Sequence, residues 1–162
     1  MNTSGSDHHH LDAVDIRILT ELQLDASLSN VDLARRVHLS ASPCLARVKA
    51  LEARGLIRQY VALLDPAQLG LLMNVFISVS LKQQTRDALA AFEREICAHD
   101  EVLECYLMSG EADYLLRIAV ADMAALERFI IERISPMAQV EKIRSSFALK
   151  QVRYKTALPL GR

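Results

Sequence analysis

Positive charge is concentrated in one stretch of this 162-residue sequence. Residues 35–58 contain six basic side chains and a single acid, Glu52, whereas residues 1–34 contain six acids and one basic side chain, Arg17. The six basic residues are Arg35, Arg36, Arg47, Lys49, Arg54 and Arg58. Because the net charge of the whole chain is only −1, this is a local cluster. Neutralising phosphates requires such a cluster, so double-stranded DNA is a candidate partner.

Apolar spacing predicts three helices around this cluster. The first covers Leu11 to Leu24, and Asn30 is expected to cap the second. A short turn at residues 38–41 separates the second helix from the third. Ser42 is expected to cap the third helix, with Pro43 at its first position, where no N–H group is missed. The second helix, the turn and the third helix form a helix-turn-helix, whose third helix would lie in the DNA major groove.

The spacing of Leu45, Val48 and Leu51 predicts that these side chains face the other two helices. Arg47 would then face outward and read a base edge, where an arginine–guanine contact gives roughly 1–3 kcal/mol of discrimination. The candidate DNA-binding residues are Arg35, Arg36, Ser40, Ser42, Pro43, Arg47, Lys49 and Arg54. The alternatives are an ordinary solvated basic face, or an interaction module that binds no DNA.

The second half of the sequence changes to the alternating period of strands. Residues 56–64 are predicted to be strand-like, and a β-α-β-β-α-β order follows them. This order is typical of the ferredoxin-like split βαβ arrangement. Its predicted elements are a strand at Val75 to Leu81, a helix capped by Thr85, strands at Val102 to Met108 and Tyr114 to Val120, a helix from Met123 to Ile134, and a strand from Ile143 to Leu149.

The predicted class is therefore α+β, with an N-terminal three-helix (winged) helix-turn-helix domain and a C-terminal ferredoxin-like βαββαβ domain. We expect a disordered tail at residues 1–10, a DNA-binding domain at 11–62 and a linker at 63–71. A second domain is expected at 72–162.

Several classes of protein are disfavoured by the composition. Three irregularly spaced cysteines predict neither a disulfide framework nor a zinc site. No apolar run approaches about 18 residues and no secretion signal is recognised, so we expect a cytoplasmic protein without a membrane segment. No catalytic or phosphate-binding motif is found, so neither an enzyme nor a cofactor is expected. The histidines at positions 8–10 favour a mobile tail over a metal site.

Cys44 lies near the start of the third predicted helix, where the helix dipole can lower the pKa of its thiol. Two roles are therefore open for Cys44, redox sensing and packing in the core, and packing is favoured.

The longest motifs resemble one family. LDAVDIRILTELQLDASLSNVDLARRVHLSASPCLARVKALEARGLI resembles the Lrp/AsnC family of bacterial transcription regulators, whose LSxxPCLxRVxxLE motif matches Leu39 to Glu52. The resemblance continues through ALLDPAQLG, ECYLMSGEADYLLRI and IRSSFALKQVRYKTALPL. Ala41 departs from the family, because many members carry proline there.

The resemblance implies a winged helix-turn-helix joined to a regulatory domain, in dimers that assemble further, often to octamers. It implies an amino acid as effector and a regulator of amino-acid metabolism genes. The C-terminal segments are most similar to the branch that activates branched-chain keto-acid dehydrogenase genes. Regulators of proline or kynurenine breakdown are the alternative.

The resemblance also implies an effector site near the segment from Met108 to Tyr114. Backbone N–H groups around Gly110 are suited to a carboxylate, and Asp113 to an ammonium group. The candidate effector-binding residues are Met108, Ser109, Gly110, Glu111, Asp113 and Tyr114. The alternative is a plain hairpin turn in which Asp113 caps the loop.

Overall fold

The computed structural model describes residues 11–160, which form two compact units. The first unit combines the chain up to Leu63 with the C-terminal segment from Arg153, and the second covers Leu64–Val152. The tail predicted at residues 1–10, with its three histidines, lies outside the described residues. The C-terminal segment departs from the expected domain boundaries, because its contacts are with the first unit.

Three helices build the first unit: α1 (Ala13–Leu24), α2 (Asn30–Arg36) and α3 (Ala41–Ala53). Asp12 caps α1 by accepting the backbone N–H groups of Val14 and Asp15, both at 2.8 Å. The residue that caps α2 is Ser29, so the prediction for Asn30 was wrong by one position. Asn30 begins the helix instead, and its side-chain amide donates to the carbonyl of Ala41 at 2.8 Å, linking α2 to the start of α3.

Helix α3 begins two residues earlier than predicted. Its N-cap is Ser40, not Ser42, and Pro43 is the third helical residue. Proline is accommodated there because the first four N–H groups of a helix have no partner within it. In the preceding turn His38 adopts a left-handed φ of 59°, and the Leu39 N–H donates to the Ala34 carbonyl at 2.8 Å. This is the Schellman-type helix end that closes α2.

The face of α3 that packs inward also differs from the prediction. Cys44 and Leu51 are fully buried and Val48 packs against the same core, whereas Leu45 is 42% exposed. The inward position predicted for Leu45 was therefore wrong. The i, i+4, i+7 spacing of residues 44, 48 and 51 gives a narrower helical face than the i, i+3, i+6 spacing of 45, 48 and 51, and the core is built on the narrower set.

The predicted strand at residues 56–64 does not form, because no other segment of the described chain pairs with it. Tyr60, Val61 and Leu64 remain exposed along this stretch. The C-terminal segment contributes to the first unit through Leu160, which packs on the helical core. Gln23 on α1 anchors this segment by two hydrogen bonds to the backbone of Leu158, at 2.6 and 3.3 Å.

The second unit confirms the predicted β-α-β-β-α-β order. Its elements are β1 (Met73–Leu81), α4 (Arg86–Ile96), β2 (Val102–Leu107), β3 (Tyr114–Val120), α5 (Met123–Phe129), which continues as a π-helical turn (Ile130–Ile134), and β4 (Val140–Phe147). The four strands are antiparallel in the order β2-β3-β1-β4. This order confirms the ferredoxin-like fold.

Strand alternation gives this sheet two unlike faces. One face carries fully buried residues such as Val75, Ile77 and Leu116, and packs on the side chains of Phe92 and Ile96 from α4. The opposite face has no helix over it within the second unit. It carries the polar and charged residues Ser78, Ser80, Arg117, Lys142 and Arg144 together with Phe76 and Leu115.

The inward face of α3 can be tested by a pair of leucine variants. Leu51→Ala removes a side chain that is 1% exposed and should cost about 2–5 kcal/mol of unfolding free energy. Leu45→Ala removes an exposed side chain and should cost less than about 0.5 kcal/mol. Denaturant unfolding of the full chain, followed by hydrogen exchange of the α1 and α3 amides, measures both losses. Equal losses in the two variants would contradict the observed orientation.

Candidate DNA interface and effector pocket

The outward face of α3 is a stripe of small and basic residues, which we call the recognition stripe: Ser42, Ala46, Lys49 and Ala53. These residues recur at helical spacing on the side opposite Cys44 and Leu51, and Ser42, Ala46 and Lys49 lie toward solvent. Within residues 11–160, no carboxylate lies at ion-pair distance from Lys49. The stripe therefore combines short side chains, which allow close approach, with an unneutralised positive charge.

Other predicted DNA contacts lie around this stripe. Ser40 and Pro43 are exposed at the start of α3, and the Ser40 side chain makes no capping hydrogen bond. Arg54 follows the helix at its C-cap. The hydroxyl of Ser40 and the N–H groups of the first turn are a suitable arrangement for a phosphate oxygen.

Arg35 and Arg36 on α2 already have acidic partners. Arg35 pairs with Asp32 at 3.0 Å and Arg36 pairs with Glu21 at 3.1 Å. The arginine side chains are 75% and 47% exposed. Such solvent-exposed pairs are weak, so a phosphate can replace either carboxylate.

Arg47 is partly exposed, but its guanidinium is turned toward α1 and not freely outward as predicted. Its Nη1 donates to Asp12 Oδ2 at 2.6 Å and to Asp15 Oδ1 at 2.8 Å, which places the guanidinium against the start of α1. These hydrogen bonds raise the pKa of Arg47. The pKa of Asp12 is lowered, first by the backbone N–H of Asp15 and then by Arg47. The side chain predicted to read a base is therefore engaged with α1.

Cys44 behaves as a packing residue. It is fully buried beside Leu51, and burial raises the pKa of its thiol, in contrast to the lowered pKa considered from the sequence. A buried thiol with a raised pKa is a poor redox sensor.

Asp113 fixes the loop between β2 and β3. Its carboxylate accepts the backbone N–H of Leu81 and the side-chain amide of Gln84, each at 2.7 Å. Its own backbone N–H donates to the Val79 carbonyl at 3.0 Å, and its carbonyl accepts the Met108 N–H at 2.8 Å. The alternative interpretation, in which Asp113 caps the loop, describes these contacts better than ammonium binding.

Tyr114 was predicted to contact the effector, but its side chain lies in the core. It is 1% exposed, and its ring centroid is 4.6 Å from that of Phe92. Its hydroxyl donates to Glu93 at 2.7 Å. Burial, followed by this hydrogen bond to a carboxylate, raises the pKa of the phenol. Tyr114 begins β3 and takes the inward position of the strand, so its ring points into the core although the residue also borders the cavity on the other face.

The remaining predicted effector residues border a cavity of about 600 Å³ on the open face of the sheet. The loop residues Met108, Ser109, Gly110 and Glu111 form one side of it. The other side comes from β1 and β4, and sequence reasoning missed its members: Ser78, Ser80, Lys142 and Arg144. They come together because Ser78 pairs with Arg144 and Ser80 with Lys142 across the sheet. The alternation along β1 indicated that the two serines share one face of the sheet, but the pairing of β1 with β4 cannot be predicted from the sequence.

A second cavity of about 470 Å³ adjoins the first and shares Ser80, Gly110, Glu111 and Lys142 with it. Its own lining is acidic, since it adds Asp113 and Glu141. Glu111 is almost fully exposed, and its carboxylate lies 3.8 Å from the Arg144 guanidinium. Positive and negative side chains thus border one continuous recess.

Neither a metal cluster nor a membrane-spanning helix is found in the described part of the chain. No group of three or more histidine, cysteine or acidic residues among residues 11–160 is placed to hold a metal ion. In the same range, none of the helices has the length and apolarity needed to cross a bilayer.

Comparison with known families assigns both halves of the chain. Residues 11–58 match the winged helix-turn-helix DNA-binding model, and residues 74–158 match the Lrp/AsnC ligand binding domain. The Bkd operon transcriptional regulator of Pseudomonas aeruginosa is 45% identical over 150 residues, covering 93% of this chain and 98% of that protein. The leucine-responsive regulatory protein of Escherichia coli K12 is 38% identical and covers 91% of this chain and 90% of its own length.

Solved structures agree with these matches. A transcriptional regulator of Neisseria meningitidis in complex with L-Met superimposes with a TM-score of 0.89 at 42% identity, covering 93% of this chain and 97% of that one. An AsnC family regulator from Agrobacterium tumefaciens gives a TM-score of 0.87 at 39% identity, with 92% and 97% covered. The chain therefore belongs to the Lrp/AsnC family and is a DNA-binding transcription regulator with a ligand-binding domain, not an enzyme or an interaction module that binds no DNA.

Proposed function

We propose that this protein regulates genes of amino-acid metabolism and that a small aliphatic amino acid, preferably a branched-chain one, changes its action on DNA. The observation that carries the proposal is the recess beside the β2–β3 loop, where cationic and anionic side chains stand within reach of one small zwitterion. The similarity to a Bkd operon regulator supports branched-chain keto-acid breakdown as the process controlled. Proline or kynurenine breakdown is the alternative. A protein that acts on chromosomal DNA would work in the bacterial cytoplasm.

On the DNA side, the recognition stripe enters the major groove. Lys49 reaches phosphates or base edges, and Ser40, Ser42 and Pro43 lie close to the backbone at the start of α3. Leu45 joins this surface because it is exposed, and an apolar side chain there is suited to a thymine methyl group. Arg35, Arg36 and Arg54 add positive charge around the stripe. This set replaces Arg47 as the candidate contact surface.

Lys49→Ala tests the DNA surface. The variant should bind a selected promoter fragment more weakly, because an unneutralised cation is removed from the interface. The slope of log K against log salt should become shallower by about 0.9 for each phosphate that is no longer neutralised. Arg17 on α1 supplies the matched control, and Arg17→Ala should retain both affinity and slope. An unchanged affinity and slope for Lys49→Ala would remove the stripe from the interface.

On the effector side, the amino acid lies along the recess with its two charges separated. Lys142 and Arg144, with Ser78 and Ser80 beside them, are suited to its carboxylate. Glu111 lies opposite and is suited to the ammonium group, with Glu141 as a second acceptor in the adjoining cavity. Asp113 serves this site indirectly, because it holds the loop in place.

The preference for an aliphatic side chain rests on Met108 and Leu115, the larger apolar residues that line the main cavity. A cavity of about 600 Å³ exceeds the volume of any single amino acid, so part of the space is available to a neighbouring protomer. The regulator from Neisseria meningitidis was solved in complex with L-Met, an amino acid whose flexible side chain is similar in size to that of leucine.

Thermal-shift measurements test the charge assignment. Leucine, isoleucine, valine or methionine should raise the melting temperature of the wild-type protein, because a ligand that binds only the folded state stabilises it. Lys142→Met and Arg144→Gln should each weaken binding about tenfold, which is about 1.4 kcal/mol. Lys150→Met is the control, since Lys150 is exposed and outside the cavity. Equal responses in all three variants would rule out this carboxylate site.

We further propose that the protein acts as a homodimer that assembles to a higher oligomer, with an octamer as the expected form. The helix-free face of the sheet carries Phe76 and Leu115, and the extended segment before β1 exposes Tyr60, Val61 and Leu64. These surfaces are suited to contacts between copies, since soluble monomers seldom expose large apolar patches.

The oligomer is tested on DNA and in solution. Two recognition helices in a dimer should lie about 34 Å apart, or a multiple of this, and should protect DNA with a period of about 10 base pairs. Sedimentation of the free protein gives the number of chains. A monomeric mass together with an aperiodic footprint would contradict the assembly.

A further inference from the structure

Two carboxylates and one guanidinium join α1 to α3. Nη1 of Arg47 donates to both Asp12 and Asp15, which are 35 and 32 residues earlier in the chain. We call these three residues the α1–α3 clamp. Arg47 lies in the middle of α3, next to Ala46 of the recognition stripe.

The clamp contains the one charged residue that is buried among residues 11–160. Asp15 is 8% exposed, and a buried carboxylate is costly unless it is paired and hydrogen-bonded. Arg47 is the cation that compensates it. Moving the guanidinium away would leave the buried Asp15 carboxylate without a cation, which is costly, so Arg47 is held at this site.

Asp12 is fixed from two directions. Its Oδ1 accepts the N–H groups of Val14 and Asp15 and so caps α1, while its Oδ2 accepts Arg47. The same carboxylate thus sets both the start of α1 and its link to α3. Movement of Arg47 toward the DNA would break two charge-assisted hydrogen bonds and leave Asp15 unpaired.

Cys44 and Leu51 are the two fully buried side chains of α3, and Val48 packs beside them on the helical core. Charge-assisted hydrogen bonds are directional and add geometric specificity that apolar contacts lack. The clamp joins α3 to α1 close to Val48, which packs on the helical core. Its hydrogen bonds therefore act together with the apolar core in fixing which residues of α3 face the solvent.

We propose that Arg47 is a positioning residue for DNA recognition: it holds the rotation and height of α3 against α1 through Asp12 and Asp15, and it does not contact DNA. This inference goes beyond the proposed function, which concerns the residues that touch DNA and effector. It makes the acidic start of α1 part of the sequence-reading apparatus, although α1 lies outside the helix-turn-helix itself.

The test separates positioning from direct contact by removing the charges together. Arg47→Gln alone leaves Asp15 buried without its cation, so binding to a selected promoter fragment should fall more than about tenfold. In the double variant D15N/R47Q the two side-chain amides can still hydrogen-bond to each other. Because the substitution at position 15 removes the carboxylate, no buried charge is left unpaired. Its affinity should return to within about threefold of wild type, with an unchanged salt slope. The single variant Asp15→Asn and the stripe variant Lys49→Ala are the matched controls.

Direct contact predicts a different outcome. If Arg47 binds a phosphate, the double variant stays as weak as Arg47→Gln and its salt slope falls by about 0.9 for each phosphate that is no longer neutralised. If Arg47 reads a base, the double variant loses its preference at a single base pair in a set of site variants. Either result would overturn the proposal. Circular dichroism and thermal unfolding of the full chain establish that each variant is folded.

Arg47→Lys gives an independent measurement if the double variant does not fold. It keeps the charge but loses the geometry that serves two carboxylates. Positioning predicts that discrimination weakens at all base pairs of the site together. Weaker discrimination at one base pair only, or unchanged discrimination at every base pair, would contradict a positioning role.

Discussion

The hydrogen bonds between Arg47 and the carboxylates of Asp12 and Asp15 hold α3 in the orientation in which Cys44 and Leu51 pack inward. With this guanidinium turned toward α1, the outward side of the helix presents Lys49 among small residues. A long, paired side chain in the middle of that surface would have limited how closely the helix approaches a groove. The proposed DNA-binding surface thus depends on a contact made away from it, between α3 and α1.

A similar division between support and contact is found in the second unit. Asp113 uses both carboxylate oxygens to hold the β2–β3 loop against β1, and Tyr114 anchors the start of β3 in the core. The residues between β2 and these anchors, including Gly110 and Glu111, are left exposed at the rim of the cavity. Residues that recognise a ligand precisely need such fixed neighbours, because a loosely held loop would bind it with a larger loss of entropy.

The sequence contained enough information for the element order and the class of fold. β3 was predicted at its observed bounds, and Thr85 was correctly identified as the cap of α4, because both signals are local. The inward face of α3 was predicted wrongly although a local signal for it existed. Cys44 is seven residues from Leu51 and shares its face, whereas Leu45 is six residues away and lies to one side, so the prediction chose the leucine for its hydrophobicity over the better-placed cysteine.

Long-range pairing explains the other differences. Lys142 joins Ser80 in the recess beside the β2–β3 loop because β4 pairs with β1, and the register of that pairing includes an irregularity at Leu81. The segment at residues 56–64 has the composition of a strand, but a strand needs a partner to accept its hydrogen bonds. The C-terminal segment packs on the helical core of the first unit through Leu160, and no periodic pattern in the sequence predicts that contact.

The orientation of α3 is tested most directly by photo-cross-linking the full-length protein to a selected promoter fragment. A benzophenone amino acid would be placed at Ala46 in the recognition stripe, and in a separate variant at Thr20, which is exposed on α1. The account predicts that DNA-bound protein cross-links to bases from position 46 and not from position 20. Cross-links from position 20, with none from position 46 while DNA remains bound, would contradict it.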